Sequence, residues 1–461
     1  MKHADVQPLA SRVAGPVLVP GDEQYDDERT GANLAVRHQP DVIVGAVRAE
    51  DVQEAVRFAG ERGLPVAVQG TGHGYATAAR GGLLVTTRRM TEVRVDAGRR
   101  TVSVGAGARF EQVIPAAARY GLAPLNGSAP HVGVVSYVLG GGVGLLARTY
   151  GYAADRVRAL ELVTADGALR RVTPDRDPDL YGAVVGGRDN FGIVTRLETD
   201  LVLVARLYGG GLFYDAGAAP GLLAAYARWA EGTPREMNSS IALIPMPDGP
   251  DVPGPLRGRH VYHVRIAYTG DAADGARLVA PLRKAGPVLL EALADMPYTH
   301  SGSIHDEPDV PVPFQRETAM LREVDDAVAR TVLEHAGPQA PVPCVVELRH
   351  VGDALAQAPR HPNSVARVHA PYLLSVVTLL YGISADDTRP VYDGLFAALE
   401  PVTCGAALNF LGHGPHAREE RVRAAYAPAA LRRLSRLKAT HDPSNTFRLN
   451  YNIPPSTADA P

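Results

Sequence analysis

A chain of 461 residues is longer than one hydrophobic core ordinarily fills, so two domains are expected. Its 47 Lys and Arg nearly balance its 50 Asp and Glu, and no basic run is interleaved with aromatics, which excludes a nucleic-acid partner. No apolar run approaches the roughly 20 residues of a membrane span, the start Met-Lys-His-Ala-Asp has no signal-peptide core, and Cys344 and Cys404 stand too far apart for a CxxC metal or redox motif; a cytoplasmic protein without a metal site is expected.

Val42 to Val47 reads as a strand and Asp51 to Arg62 as a helix, because Val52, Ala55, Val56 and Ala59 share one face. Leu64 to Gln69 is then the next strand. It runs into Gly70-Thr-Gly-His-Gly74, where glycines permit positive φ and let consecutive N–H groups converge on an anion, with His73 among them. Leu83 to Thr87 is a further strand, and Val93 to Val95 with Thr101 to Val104 reads as a hairpin. Gly105-Ala-Gly107 follows and opens a helix from Arg109 to Tyr120. That pattern imitates a dinucleotide fingerprint, but Phe110 stands where close helix packing needs the third glycine, so a nicotinamide-type dehydrogenase is not expected.

Residues 126–145 form a second glycine centre, including Gly133, Ser136, Gly140, Gly141, Gly142, Gly144 and Leu145. Apolar residues flank these glycines closely, which predicts buried backbone in contact with a flat ligand rather than a solvated linker. Glu161 to Thr164 and Leu169 to Val172 read as strands around the turn at Asp166 and Gly167. Gly186-Gly-Arg-Asp-Asn-Phe-Gly192 is a third glycine-bearing turn, leading into Ile193 and Val194. From about Leu207 the character changes: strands such as Tyr262 to Tyr268 and Leu373 to Leu380, and helices such as Leu222 to Ala230 and Asp325 to Glu334, occur without any comparable glycine cluster. The chain returns with a basic helix, Leu431 to Lys438, and the tail His441-Asp-Pro-Ser-Asn-Thr-Phe-Arg-Leu-Asn450-Tyr451-Asn452-Ile453.

Three separated glycine centres with this tail resemble the FAD-linked oxidases of the vanillyl-alcohol oxidase and berberine-bridge-enzyme type, and within them the singly tethered members. The resemblance implies an α+β protein. A PCMH-type FAD-binding domain in two segments, 1–206 and 406–461, would carry an inserted α+β substrate domain, 207–405. It also implies FAD covalently attached through His73 and contacted by Gly70, Thr71, Gly72, Gly74, Tyr75, Ile193, Asn450, Tyr451, Asn452 and the second glycine centre. The expected activity is oxidation: hydride passes from a C–H of a small-molecule amine, alcohol or secondary-metabolism intermediate to the flavin, and dioxygen reoxidises it. A flavoprotein cyclase or a binding module using FAD structurally is the alternative.

The departures are specific. Ala129 replaces the cysteine of doubly tethered members, leaving one tether, and Gln69 stands where an arginine is usual. Arg188 and Asp189 replace glycines before Asn190. The tyrosine base usual two positions before Asn409 is Ala407. Either the substrate needs no strong base, or another group serves, with Tyr451, Asn409 and Glu347 the leading catalytic candidates and His350, Tyr298 and His300 behind them. The sequence leaves the oligomeric state open.

Overall fold

The computed structural model describes residues 1–412 and 419–456, so parts of the expected C-terminal segment 406–461 lie outside the described residues. Strands Val42–Gly45, Leu83–Thr86 and Val66–Gln69 pair in parallel, with Val17–Leu18 antiparallel at one edge. Val42, Ile43, Val44, Leu83, Leu84 and Val85 are fully buried, as expected of a parallel sheet covered on both faces. The helix Ala49–Glu61 covers one face through Val52, Ala55, Val56 and Ala59. This β-α-β unit delivers the first glycine turn at a strand's C-terminal end.

A five-stranded antiparallel sheet comes next, in the order Val93–Asp96, Thr101–Gly105, Ile193–Asp200, Val157–Val163, Leu169–Val172. The predicted hairpin is present, Asp96 pairing with Thr101. In the second glycine centre the chain forms a short helix, Val134–Leu139, where the sequence predicts only buried backbone, and just beyond it comes a further turn of helix at Ala147–Tyr150. Glycines bracketing six mostly apolar residues hide the helical period, since so short a run fits a strand equally well.

The third sheet has nine antiparallel strands, all between Arg206 and Gly405. Four helices, Leu222–Glu231, Ala272–Arg283, Asp326–Ala336 and Ala385–Ala398, pack on one face over Leu212, Tyr214, Ile241, Val264, Leu348 and Leu374. Its other face packs toward the glycine-rich part, where Leu207, Ala267, Met320 and Leu373 join the core of residues 102–207. Side chains alternate across a strand, so each strand has one apolar face on the helices and a second face free to carry other chemistry. Among the described residues no helix is long and apolar enough to cross a membrane, and no group of His, Cys, Asp or Glu could hold a metal ion.

Candidate active site

The first glycine turn is fixed from behind. The N–H of Ala32 donates to the carbonyl of Thr71 (2.9 Å) and that of Asn33 to the carbonyl of Gly72 (3.1 Å). Gly72 has φ +75°, and a Cβ there would lie 2.5 Å from the Cα of Gly31, so both angle and approach require glycine. Gly72→Ala is expected to destabilise the protein by about 1–3 kcal/mol; a chemical-denaturation midpoint equal to wild type would show that the turn relaxes freely.

His73 Nδ1 lies 2.8 Å from Thr71 Oγ1, which also accepts the N–H of Gly133 at 3.2 Å. Thr71 therefore ties the first glycine centre to the second. Burial, followed by the charges of His131, Arg316 and Arg109, pushes the His73 imidazole down to about 3, so it is neutral at physiological pH. With the proton on Nδ1 and donated to Thr71, Nε2 keeps a free lone pair.

Gly70, Gly72, His73, Gly74 and Tyr75 line one cleft together with Gly133, Ser136, Asn450 and Tyr451. Gln69 is buried beside it, donating to the carbonyls of Glu28 and Thr30 and accepting the Tyr75 hydroxyl. The sequence does not single out Arg188 for this cleft, yet the side chain lines it. Arg188 adopts φ +56°, donates to the Gly74 carbonyl (3.1 Å), and sets its guanidinium 5.3 Å from the Tyr451 ring centre. The signal was a cation in place of a glycine.

The tail is held from Asn190. Its side chain donates to the carbonyl of Tyr451 (3.0 Å) and accepts the N–H of Ile453 (2.8 Å). Lys438, fully buried, donates to the carbonyls of Asn190 and Phe447 and to Asp442 Oδ2 (2.6, 3.0 and 2.7 Å). These contacts bring Asn450 and Tyr451 into the cleft.

Other predicted positions lie around it. Ile193 is buried between the cleft-lining Gly192 and Val194, its side chain in the core of the parallel sheet. Gly140 and Gly142 border a smaller cavity with Ala407 and Asn409, and Gly141 packs against Tyr152 and Val365. Gly144 and Leu145 border another with Arg265, His305 and Arg349. Asn452 Oδ1 is buried with no partner among the described residues. Asn409 donates to the Tyr137 carbonyl at 2.7 Å, clamping the short helix of the second glycine centre.

The Tyr451 hydroxyl donates to the carbonyls of Leu411 (2.7 Å) and Gly412 (3.2 Å), and burial pushes it up to about 12. Glu347 is held by Arg265 (3.1 Å) and Arg349 (3.0 Å); burial opposes its charge, but the Arg349 and Arg265 guanidiniums outweigh that and hold the carboxyl far below the usual range. Tyr298 bridges Asn126 Oδ1 and the Pro124 carbonyl, His300 borders a surface groove, and His350 is buried beside Tyr372. Sequence reasoning found no motif in residues 207–405, yet Arg265, Arg316 and Arg349 stand on the sheet face toward the cleft side. The available signal was a charge at alternate positions of otherwise apolar strands.

Burial also pushes His38 and His350 down, to about 4 and about 3, and His263 and His305 well below the ordinary histidine value. The unfolded chain takes up these protons near pH 6.5 while the folded chain does not, so stability is intact above that pH and is lost as pH falls toward 3. Each such histidine, His73 included, contributes a slope of up to about 1.4 kcal/mol per pH unit. Denaturation midpoints measured between pH 7 and 4 are expected to fall steadily; a flat profile would contradict neutral burial.

The cleft suits a long phosphate-bearing ligand: glycine backbone lines one end, and Arg188 Nε and Asn450 Oδ1 are buried without hydrogen-bond partners among the described residues. Residues 40–173 match the family model described as an FAD binding domain. Fold and site thus define an FAD-linked oxidoreductase, similar to enzymes of the vanillyl-alcohol oxidase and berberine-bridge-enzyme type.

Relatives extend over the whole chain. The (R)-6-hydroxynicotine oxidase of Paenarthrobacter nicotinovorans is 27% identical over 97% of this chain and 99% of its own length. An FAD-linked oxidoreductase of Bacillus subtilis is 25% identical, covering 96% of this chain and 98% of the relative. Among solved structures, 6-hydroxy-D-nicotine oxidase from Arthrobacter nicotinovorans superposes with a TM-score of 0.83 at 24% identity, covering 96% of this chain and 98% of its own. The xylooligosaccharide oxidase of Myceliophthora thermophila superposes at 0.85 with 20% identity, covering 99% and 100%.

Proposed function

We propose that the protein is an FAD-dependent oxidase acting on a small-molecule amine, alcohol or natural-product intermediate, with its flavin tethered through His73 and reoxidised by dioxygen. The observation that carries this is the meeting of His73 with Asn450 and Tyr451 in one cleft, from positions nearly 380 residues apart in sequence. When bound, the flavin supplies the hydride acceptor. The N–H groups of residues 70–74 hold its pyrophosphate, and Arg188 provides the cation that Gln69 does not. Neutral His73, oriented by Thr71, offers Nε2 as the attaching nucleophile. Oxidase relatives support the choice of dioxygen.

On this proposal residues 207–405 form the substrate domain, and its sheet face closes the flavin side. Tyr451 acts as a wall of the cofactor site, since its hydroxyl already donates to backbone. Asn409 positions the second glycine centre. Glu347, a weak base between two arginines, holds charge rather than taking a proton. The substrate therefore needs no strong base, as with an amine that loses hydride while neutral. The purified protein is expected to be yellow, and anaerobic mixing with candidate amines and alcohols to bleach the flavin band. A flavoprotein that no member of such a panel bleaches would favour the cyclase or binding-module alternative.

A further inference from the structure

We propose that the substrate carries a carboxylate, and that Arg316 holds it beside the rings of Phe314 and Phe410. The proposal rests on the oxidase reading above and adds the substrate's charge to it. Arg316 lies on the strand Phe314–Leu321, whose Ala319 and Leu321 pack on the helices. Arg316, Thr318 and Met320 take the opposite face; Thr318 Oγ1 donates to the Phe410 carbonyl at 3.0 Å, and Met320 joins the glycine-rich core.

Phe410 adjoins Asn409, which reaches the second glycine centre, so this ring stands where the sheet meets the cofactor-binding part. The guanidinium of Arg316 is 5.4 Å from the Phe314 ring centre and 5.7 Å from that of Phe410; Arg349 is also 5.7 Å from Phe410. Two cations thus flank one aromatic ring. Arg316 is also near enough to bias the ionisation of both His73 and Tyr451, which line the cleft.

Charge balance identifies the missing partner. Glu347 accepts from Arg265 and Arg349, and both are satisfied by it. Arg316 has no carboxylate within ion-pair distance among the described residues, and its Nε is buried without a hydrogen-bond partner. Glu307, which acts on Arg316 and Arg349 from a distance, is the other negative charge facing this group. Three arginines against two glutamates leave one positive charge. A monoanion neutralises it, whereas a phosphate dianion would overshoot. A guanidinium left unpaired in a desolvated place is costly, and a planar carboxylate fits its fork.

The test titrates the full-length flavoprotein with acetate, benzoate and indole-3-acetate, each against its neutral amide, following the flavin spectrum and heat of binding together. At least one carboxylate is expected to bind about tenfold or more tightly than its amide. Arg316→Met should remove that preference while leaving amide binding and flavin content unchanged, and Arg316→Lys should restore part of it. Equal affinity of every carboxylate and amide, no binding by any carboxylate, an Arg316→Met protein with wild-type preference, or one that has lost its flavin would each overturn the proposal. If Arg316→Met does not fold, Arg316→Gln takes its place, and a glutamine variant that keeps the wild-type preference would overturn the proposal. A wild type without flavin absorbance would overturn the oxidase reading, and the calorimetric comparison would then still decide the role of Arg316.

Discussion

Replacing His73 by alanine is expected to leave a protein that still binds FAD but releases all of it on denaturation, whereas wild type keeps one FAD mass on the polypeptide. Binding should survive because the turn offers backbone N–H groups, and its path is set by Gly31, Ala32 and Asn33 rather than by the imidazole. Turnover should fall by about tenfold or more, equivalent to about 1.4 kcal/mol of barrier. The reason is that a flavin lacking an electron-withdrawing substituent accepts hydride less readily. No cysteine supplies a second tether: Ala129 has no nucleophile, Cys344 is buried under the helices of the nine-stranded sheet, and Cys404 donates to the Met320 carbonyl. Intact mass before and after acid precipitation checks this. A wild type that sheds its flavin, or an alanine variant that retains it, would move the tether elsewhere.

Lys438→Met is expected to have the largest effect on stability. Lys438 and Asp442 are both completely buried and 2.7 Å apart, and the ammonium also satisfies the carbonyls of Asn190 and Phe447. Removing it strands a buried carboxylate, only partly relieved by the N–H groups of Thr446 and Phe447 at 2.7 and 2.9 Å. Breaking a buried pair from one side costs about 3–5 kcal/mol. The loss should appear as a lower denaturant midpoint at unchanged slope. Because Asn190 anchors the tail through Tyr451 and Ile453, the variant should also hold flavin less firmly. A midpoint within error of wild type would mean that the tail is secured by other contacts.

Much of the fold was legible because its signals are local. The helix Ala49–Glu61 was marked by one apolar face, the hairpin at Asp96 to Thr101 by its turn residues, and the first glycine turn by the strand that enters it. These features depend on residues within a few positions of one another, where backbone sterics and periodic burial act directly. The short helix Val134–Leu139 escaped because six mostly apolar residues between glycines carry no resolvable period. The Ala129 and Ala407 substitutions were equally plain, since the absence of a nucleophile or a hydroxyl is a property of the residue itself.

What tertiary structure alone decided are the pairings of groups distant along the chain. Nothing local distinguishes Glu347 as a base from Glu347 held between Arg265 and Arg349, nor Tyr451 as a proton acceptor from a hydroxyl donating to Leu411. Arg188 reads as a lost glycine until folding sets it over Tyr451 and against Gly74. Arg316 carries no sequence signal of its own; only the sheet turns its face inward and leaves its guanidinium without a carboxylate among the described residues. Sequence fixes which charges and hydrogen-bonding groups exist. Their protonation and partners depend on burial and on distances of a few ångströms, because desolvation and Coulomb energies change steeply over that range.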